Sequence, residues 1–491
     1  MMSQPNIVYF VADQMRADSL HHMGSPASIT PNLDAVCEEG VSFRNAYCQN
    51  PVCVPSRNSF LSGLYPHTTG HRTMHFLQGD DDPNILKVMK ASGYEVIWVG
   101  RNDVVPADKT KIAYCDEYYD GTGFENLVDK IKTTSFGGHG SHGEAPTIGP
   151  DLYSFYMGEA TEDNGFVKMD WTCVQNALNY LDRKAQANDG KPFFLYITLM
   201  YPHPPYVCEE PWYSSIDRSK LPPRRPDVST LNGMPSMLQE IARKQGLSVW
   251  DEAKFDELRA TYLAMVSRFD YQYGLVVNKL KEHGFYDDSS VFVFSDHGDY
   301  TTDYGVAEKA QNLFHDPVSN VPFLVKPAKR FDVKPGISNA LVELADLSAT
   351  IADMAGIELP YTQFGKSLRE AIAGNPFHKD AVICEGGRIH GEKQAMELGH
   401  NEQSPYWPRL STQYSEGPEH GKAIMIRMEN QKYTYRLYEL DELYDLDKDP
   451  LELNNVINDP AYAESVLKFK ERLLRLMIET GDFVPNRRDK R

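Results

Sequence analysis

The sequence predicts an α/β fold: a large mixed, mostly parallel sheet sandwiched by helices, followed by a smaller C-terminal α+β subdomain. Three observations carry this. Runs at residues 7–12, 96–99, 193–198 and 291–294 are apolar throughout rather than alternating, as strands buried on both faces must be. Helical patterns separate those runs, the alternation of a doubly wound sheet. Near Gly374-Asn375-Pro376 the style changes to a polar loop, short strand-like runs and a last helix. The boundary therefore falls between a large N-terminal domain at 1–376 and a subdomain at 377–491 with a small antiparallel sheet and a terminal helix.

The elements follow in order. The first strand, 7–12, ends in Asp13-Gln14. Thr30-Pro31 opens a helix, Thr as N-cap and Pro in the first turn. Asn50-Pro51-Val52-Cys53-Val54-Pro55-Ser56-Arg57 predicts a second helix start, with backbone N–H groups and Arg57 beside Cys53 in an electropositive setting. Residues 85–90 are amphipathic and stop at Gly93, and strand 96–99 runs into Gly100-Arg101-Asn102-Asp103. From 109 to 163 the pattern weakens, and the glycine-rich stretch 137–143 reads as a lid loop. A helix at 174–187 leads to strand 193–198 and then Tyr201-Pro202-His203-Pro204. The Pro-rich stretch 211–248 reads as a surface insertion, 255–283 as a long helix, and strand 291–294 ends in Ser295-Asp296-His297-Gly298. A further strand is expected at 322–326 and a helix at 341–355. Beyond 376 come a polar loop at 386–421, strands at 423–428 and 433–437, and a helix at 461–480.

Composition limits the function. With 491 residues, 41% of them hydrophobic, the chain has ample material for a core. A formal net charge of −19 argues against nucleic acid or an acidic membrane as partner and favours solubility. The seven Cys are odd in number and contain no CxxC pair, which speaks against a disulfide scaffold or zinc ribbon. Met-Met-Ser-Gln-Pro-Asn carries no basic region, and the apolar run after it is too short to span a bilayer, so the expected location is cytoplasmic. A homo-oligomer stays open.

Asp13, Arg101, His203 and Asp296 all stand just past expected strands, where open α/β sheets hold their ligands. Asp13, Gln14 and Asp296 offer hard oxygens suited to Ca2+, and less readily to Mg2+. His297 is read first as a hydrogen-bond donor to the nucleophile, because imidazole suits softer metals.

Cys53-Val54-Pro55-Ser56-Arg57 with Leu61-Ser62-Gly63 resembles the sulfatase signature. Asp13-Gln14, Ser295-Asp296-His297-Gly298, Lys309 and Leu443-Tyr444-Asp445-Leu446 with Asp449-Pro450 follow in the order of that family, which belongs to the alkaline-phosphatase-like superfamily. The resemblance covers about residues 5–456. It implies that a maturation enzyme oxidises Cys53 to formylglycine, whose hydrate attacks the sulfur of a small-molecule or oligosaccharide sulfate ester. It places the metal on Asp13, Gln14, position 53, Asp296 and His297. Arg57, Arg101, His203, His297 and Lys309 would complete the catalytic set, with Arg57 on the formylglycine and sulfate and His203 and Lys309 on the sulfate or leaving oxygen. The family's Asp-Asp is Asp-Gln here, and its Asp-Asn is Asp-His. Its Gly-Lys-x-His is Gly100-Arg101-Asn102-Asp103, so Asp103 stands where a histidine is usual, and His75 is the substitute the sequence offers. Arg388, His390, the Trp407 region and the 137–143 loop are expected to line the substrate pocket, with His75 and Asp103. Two other readings stand beside a sulfatase of sulfated carbohydrates or small alkyl or aryl sulfates. One is a phosphonate monoester or phosphodiester hydrolase with the same machinery; the other is a binding protein in which Cys53 stays a thiol.

Overall fold

The computed structural model describes residues 4–121, 155–160, 164–402 and 404–484, so the 137–143 loop lies outside the described residues. The strands in chain order are β1 Asn6–Asp13, β2 Val41–Tyr47, β3 Glu95–Gly100, β4 Glu117–Tyr119, β5 Tyr156–Ala160, β6 Phe193–Pro202 and β7 Tyr206–Glu209. They continue with β8 Ser289–Ser295, β9 Phe323–Lys326, β10 Gly336–Glu343, β11 Val382–Gly386, β12 Ala423–Met428, β13 Gln431–Arg436 and β14 Glu442–Asp445.

Eight of them form one sheet in the order β10-β2-β9-β8-β1-β6-β3-β4. Every neighbouring pair is parallel except those of β9, which runs antiparallel to β2 and β8. The apolar run of β1 serves both faces. Val8, Phe10 and Ala12 pack into one core, and Ile7, Tyr9 and Val11 into the other. Burying such side chains stabilises the fold by roughly 1.5–3 kcal/mol each. On the first face lie helices α2 Gly165–Ala187 and α4 Glu252–Glu282, and on the second α1 Cys53–Ser62 and α5 Asp346–Ala355. A separate antiparallel sheet, β11-β12-β13-β14, packs Ile383, Ile426, Tyr433 and Leu443 against Phe469, Leu473 and Leu476 of the terminal helix α7 Ala463–Thr480.

Some elements differ from expectation. Residues 341–355 are not one helix: β10 runs through Glu343 before α5 begins at Asp346, and β10 pairs in parallel with β2 at the sheet edge. The sequence reading has neither β2 nor β11. In β2 the polar Ser42, Arg44 and Asn45 interrupt the apolar run, and Arg44 is exposed. The 211–248 stretch is more than surface. It contains α3 Ser236–Gln245, whose Met237, Leu238 and Ile241 form a small core with Tyr300, Tyr304 and Leu313. The polar 386–421 loop likewise contains a helix, α6 Trp407–Gln413.

Candidate active site

Parallel pairing makes the site. β8, β1, β6 and β3 are adjacent and parallel, so their carboxyl ends share one edge. Asp296, Asp13, His203 and Arg101 therefore arrive together. Gly100 lets β3 close on β6: its φ is +97°, and a Cβ there would lie 1.9 Å from the Thr198 carbonyl oxygen. The next residue, Arg101, donates its backbone N–H to that carbonyl at 3.0 Å.

Cys53 comes from the other direction, as the first residue of α1. Pro55 is tolerated in the first turn, where backbone N–H groups have no intrahelical partner. Asn50 fixes the approach by accepting from the Val52 N–H at 3.1 Å and donating to the Glu385 carbonyl at 2.7 Å. All ten residues of α1 are buried, so Cys53 and Arg57, one turn apart on the same face, are presented inside the molecule.

Arg57 organises the centre. It donates from Nη2 to Asp13 Oδ2 at 2.8 Å and from Nε to Asp296 Oδ2 at 3.0 Å, with all three side chains fully buried. Each carboxylate thereby turns its Oδ1 to the middle. Asp13 Oδ1, Asp296 Oδ1, His297 Nε2 and Cys53 Sγ lie within 4.8 Å of one another. His297 Nδ1 donates to the Gly298 carbonyl at 3.0 Å, which leaves Nε2 unprotonated, 3.2 Å from Cys53 Sγ. Two carboxylate oxygens and an imidazole nitrogen fit a divalent cation, because they converge on one point and Arg57 contacts only the outer oxygens.

Electrostatics agree with the geometry. Burial pushes the Asp13 carboxyl up, but Arg101 and Arg57 outweigh it and hold the group far below the usual carboxylate range. Burial, aided by Asp13, pushes the Cys53 thiol well up, so an unmodified thiol here is a weak nucleophile at neutral pH. His203 is buried and donates from Nδ1 to the Pro204 carbonyl at 2.6 Å. Burial and the charge of Lys309 lower its pKa well below the ordinary value, so it stays neutral. Lys309 is buried and donates to Gln14 Oε1. Arg101 contacts Asp13 Oδ2 at 3.0 Å and spends its Nε on Asp103 at 2.5 Å. Gln14, Asp103 and Glu308 hold left-handed backbone with φ of 71°, 43° and 71°, uncommon for residues with a Cβ.

The structure thus brings together Asp13, Gln14, Cys53, Arg57, Arg101, Asp103, His203, Asp296, His297 and Lys309. His75 is exposed and lies within charge range of His400. Arg388 and His390, expected at the substrate, make their contacts elsewhere. Arg388 is buried and binds the Gln413 and Ser415 carbonyls and Glu416, and His390 stacks on Tyr438 at 3.6 Å. Both brace the 386–421 segment. What that segment adds near the cluster is Tyr406 and Arg409. Both lie within electrostatic reach of Cys53, and Arg409 sits between Glu308 at 3.4 Å and Glu397 at 3.1 Å. Nothing in the sequence distinguishes Arg409 from Arg388. The sequence reading also lacks Asp299, although it stands only two residues past His297.

A buried centre of this kind at the carboxyl edge of a mostly parallel sheet defines an alkaline-phosphatase-like hydrolase. The fold matches that of the phosphonate monoester hydrolase of Silicibacter pomeroyi with a TM-score of 0.74 at 23% identity, over 97% of this chain and 96% of that one. The family model described as Sulfatase matches residues 5–357, and the chain belongs to this family of sulfuric ester hydrolases. It is 26% identical to PehA, a multifunctional alkaline phosphatase superfamily protein of Trinickia caryophylli, over 98% of this chain and 96% of the relative. To an arylsulfatase of Clostridium perfringens it is 25% identical, over 96% of this chain and 94% of the relative. Among the described residues no helix is long and apolar enough to cross a membrane.

Proposed function

We propose that the protein hydrolyses the sulfate ester of a sulfated carbohydrate or a small alkyl or aryl alcohol, with position 53 as formylglycine and Ca2+ on Asp13, Gln14, Asp296 and His297. The observation that carries this reading is the convergence of Asp13 Oδ1, Asp296 Oδ1, His297 Nε2 and Cys53 Sγ within 4.8 Å around an Arg57 that holds both carboxylates. When bound, the cation supplies a Lewis acid for a sulfate oxygen and for the nucleophile's hydroxyl. A hydrated aldehyde supplies a second hydroxyl through which the sulfated residue can be cleared, which a Ser or Cys side chain lacks.

The chain's own groups have distinct tasks. Arg57 keeps both carboxylates aimed and, after Arg101, helps to hold Asp13 ionised. Arg101, next to Asp13, meets the negative sulfate oxygens. Lys309, a donor only, protonates the leaving oxygen. His203, neutral with its Nδ1 proton committed to Pro204, offers Nε2 as an acceptor rather than as the acid. His297 Nε2, facing position 53, is the ring's one lone pair, since Nδ1 donates to Gly298, and it is the atom that would hold the cation. Tyr406, Arg409, Asp103 and His75 flank the leaving-group side. Because Cys53 is fully buried, its oxidation needs the maturation enzyme to reach it before the chain closes.

The test uses the full chain produced with a formylglycine-generating enzyme. Mass spectrometry of the Cys53 peptide is followed by kcat/KM for the sulfate and phosphonate esters of one alcohol, and then for a panel of sulfated monosaccharides. Conversion with a preference for sulfate supports the reading. A preference for the phosphonate replaces it with the phosphonate monoester or phosphodiester hydrolase, which Gln14 and His297 at the metal positions also suit. An unconverted Cys53 with no turnover and no Ca2+ binding makes the protein a binding module.

A further inference from the structure

A glutamine ligand differs from a carboxylate in one respect: only one of its two terminal atoms can bind a cation. If the amide turns over, an N–H2 group faces the metal and the site loses a donor. At Gln14 both ends are assigned by partners of opposite character. Nε2 donates to Asp299 Oδ2, and an ionised carboxylate only accepts. Oε1 accepts from Lys309 Nζ, and an ammonium only donates. The two partners cannot exchange roles, so the orientation is dictated twice.

Asp299 is itself held in place. The Tyr206 hydroxyl donates to it at 2.9 Å, and the backbone N–H and hydroxyl of Thr301 donate to its Oδ1 at 2.5 and 2.9 Å. Asp299 is fully buried, and these donors, with the Gln14 amide, occupy both of its oxygens. The left-handed backbone of Gln14, φ 71°, turns its side chain from the end of β1 toward this group, while its N–H donates to Asp296 Oδ1 at 3.1 Å.

We infer that Asp299 is a positioning residue for the cation site: it holds the Gln14 amide so that Oε1, with one lone pair on Lys309, turns its other lone pair to the metal. This rests on the proposed cation site. It also accounts for an acidic residue buried beside an amide rather than beside a second carboxylate. With a carboxylate at position 14 there would be nothing to orient, and Asp299 would repel it.

Calcium titration of the full chain by calorimetry, with melting temperature measured in chelator, tests this in four proteins: wild type, Asp299→Asn, Gln14→Glu and the double variant. Asn at 299 offers Gln14 both a donor and an acceptor, so the amide loses its bias. Ca2+ should bind Asp299→Asn about 10- to 100-fold more weakly than wild type, the usual size of an outer-shell effect. In the Gln14→Glu background the same change should leave Ca2+ affinity equal or raise it, because the ligand is now symmetric and a like charge is relieved. That reversal supports the inference. A loss of the same size in both backgrounds, or none in either, overturns it, since a role only in bracing the Thr301 turn would not depend on residue 14. If the wild type itself binds no Ca2+, the cation-site reading falls and this inference falls with it.

Discussion

Arg57→Ala tests the charge arrangement most directly. In the wild type one guanidinium contacts Asp13 Oδ2 at 2.8 Å and Asp296 Oδ2 at 2.9 Å, and all three side chains are fully buried. Without Arg57, Asp13 still has Arg101 at 3.0 Å. Among the described residues Asp296 then keeps the backbone N–H groups of Gln14 and His297 and an imidazole that burial holds neutral. Leaving one buried charge without its partner costs about 3–5 kcal/mol. At an unfolding entropy of roughly 2.1 cal/mol/K per residue, a chain of 491 residues has about 1 kcal/mol/K. The variant should therefore melt about 3–5 °C below wild type in chelator. Ca2+ should close part of that gap, because it supplies positive charge to the same two carboxylates. Differential scanning calorimetry in chelator and in excess Ca2+ measures both effects. A variant melting within about 1 °C of wild type in chelator would show that the two carboxylates do not carry opposed charge in the folded protein, and the account of Arg57 would fail.

Cys53→Ala should reduce sulfate release to background under conditions where the matured enzyme turns over; a near-normal rate would refute position 53 as nucleophile. Lys309→Met should lower kcat/KM on an alkyl sulfate by roughly 10²–10³ and on 4-nitrophenyl sulfate by much less, since a nitrophenolate leaves without a proton. Equal losses on the two esters would move Lys309 from the leaving oxygen to sulfate binding. Glu452 is fully buried beside Lys432 and Asp316, and burial pushes its carboxyl up to about 7 from 4.5. A raised carboxyl stabilises the fold in its protonated form, so its contribution is complete below about pH 4.5 and is lost as pH rises through about 7. Glu452→Gln should flatten the melting temperature across that window, and an unchanged pH profile would exclude Glu452 as its source.

The parts legible in the sequence share one physical property: their place follows from backbone topology. β1, β3, β6 and β8 read as strands because both faces are buried and the runs are apolar throughout. Once four such strands are parallel neighbours, whatever follows each of them meets at one edge, so Asp13, Arg101, His203 and Asp296 converge without any knowledge of packing. β2 and β11 lack that signal, as does the strand that replaces the first part of the expected 341–355 helix. The leaving-group side is less legible for a different reason. Arg388 and Arg409 belong to the same polar segment and have the same chemistry, yet one is consumed by Glu416 and two carbonyls while the other reaches Glu308 beside Lys309. Only the fold of 386–421 over the sheet edge separates them. The groups proposed for the reaction thus come from strand ends and α1, with Lys309 from the loop after β8, and Tyr406 and Arg409 from a later segment that no strand of the large sheet constrains. Substitutions at Tyr406 or Arg409 can therefore reshape the pocket for another alcohol while leaving Arg57 and its two carboxylates in place.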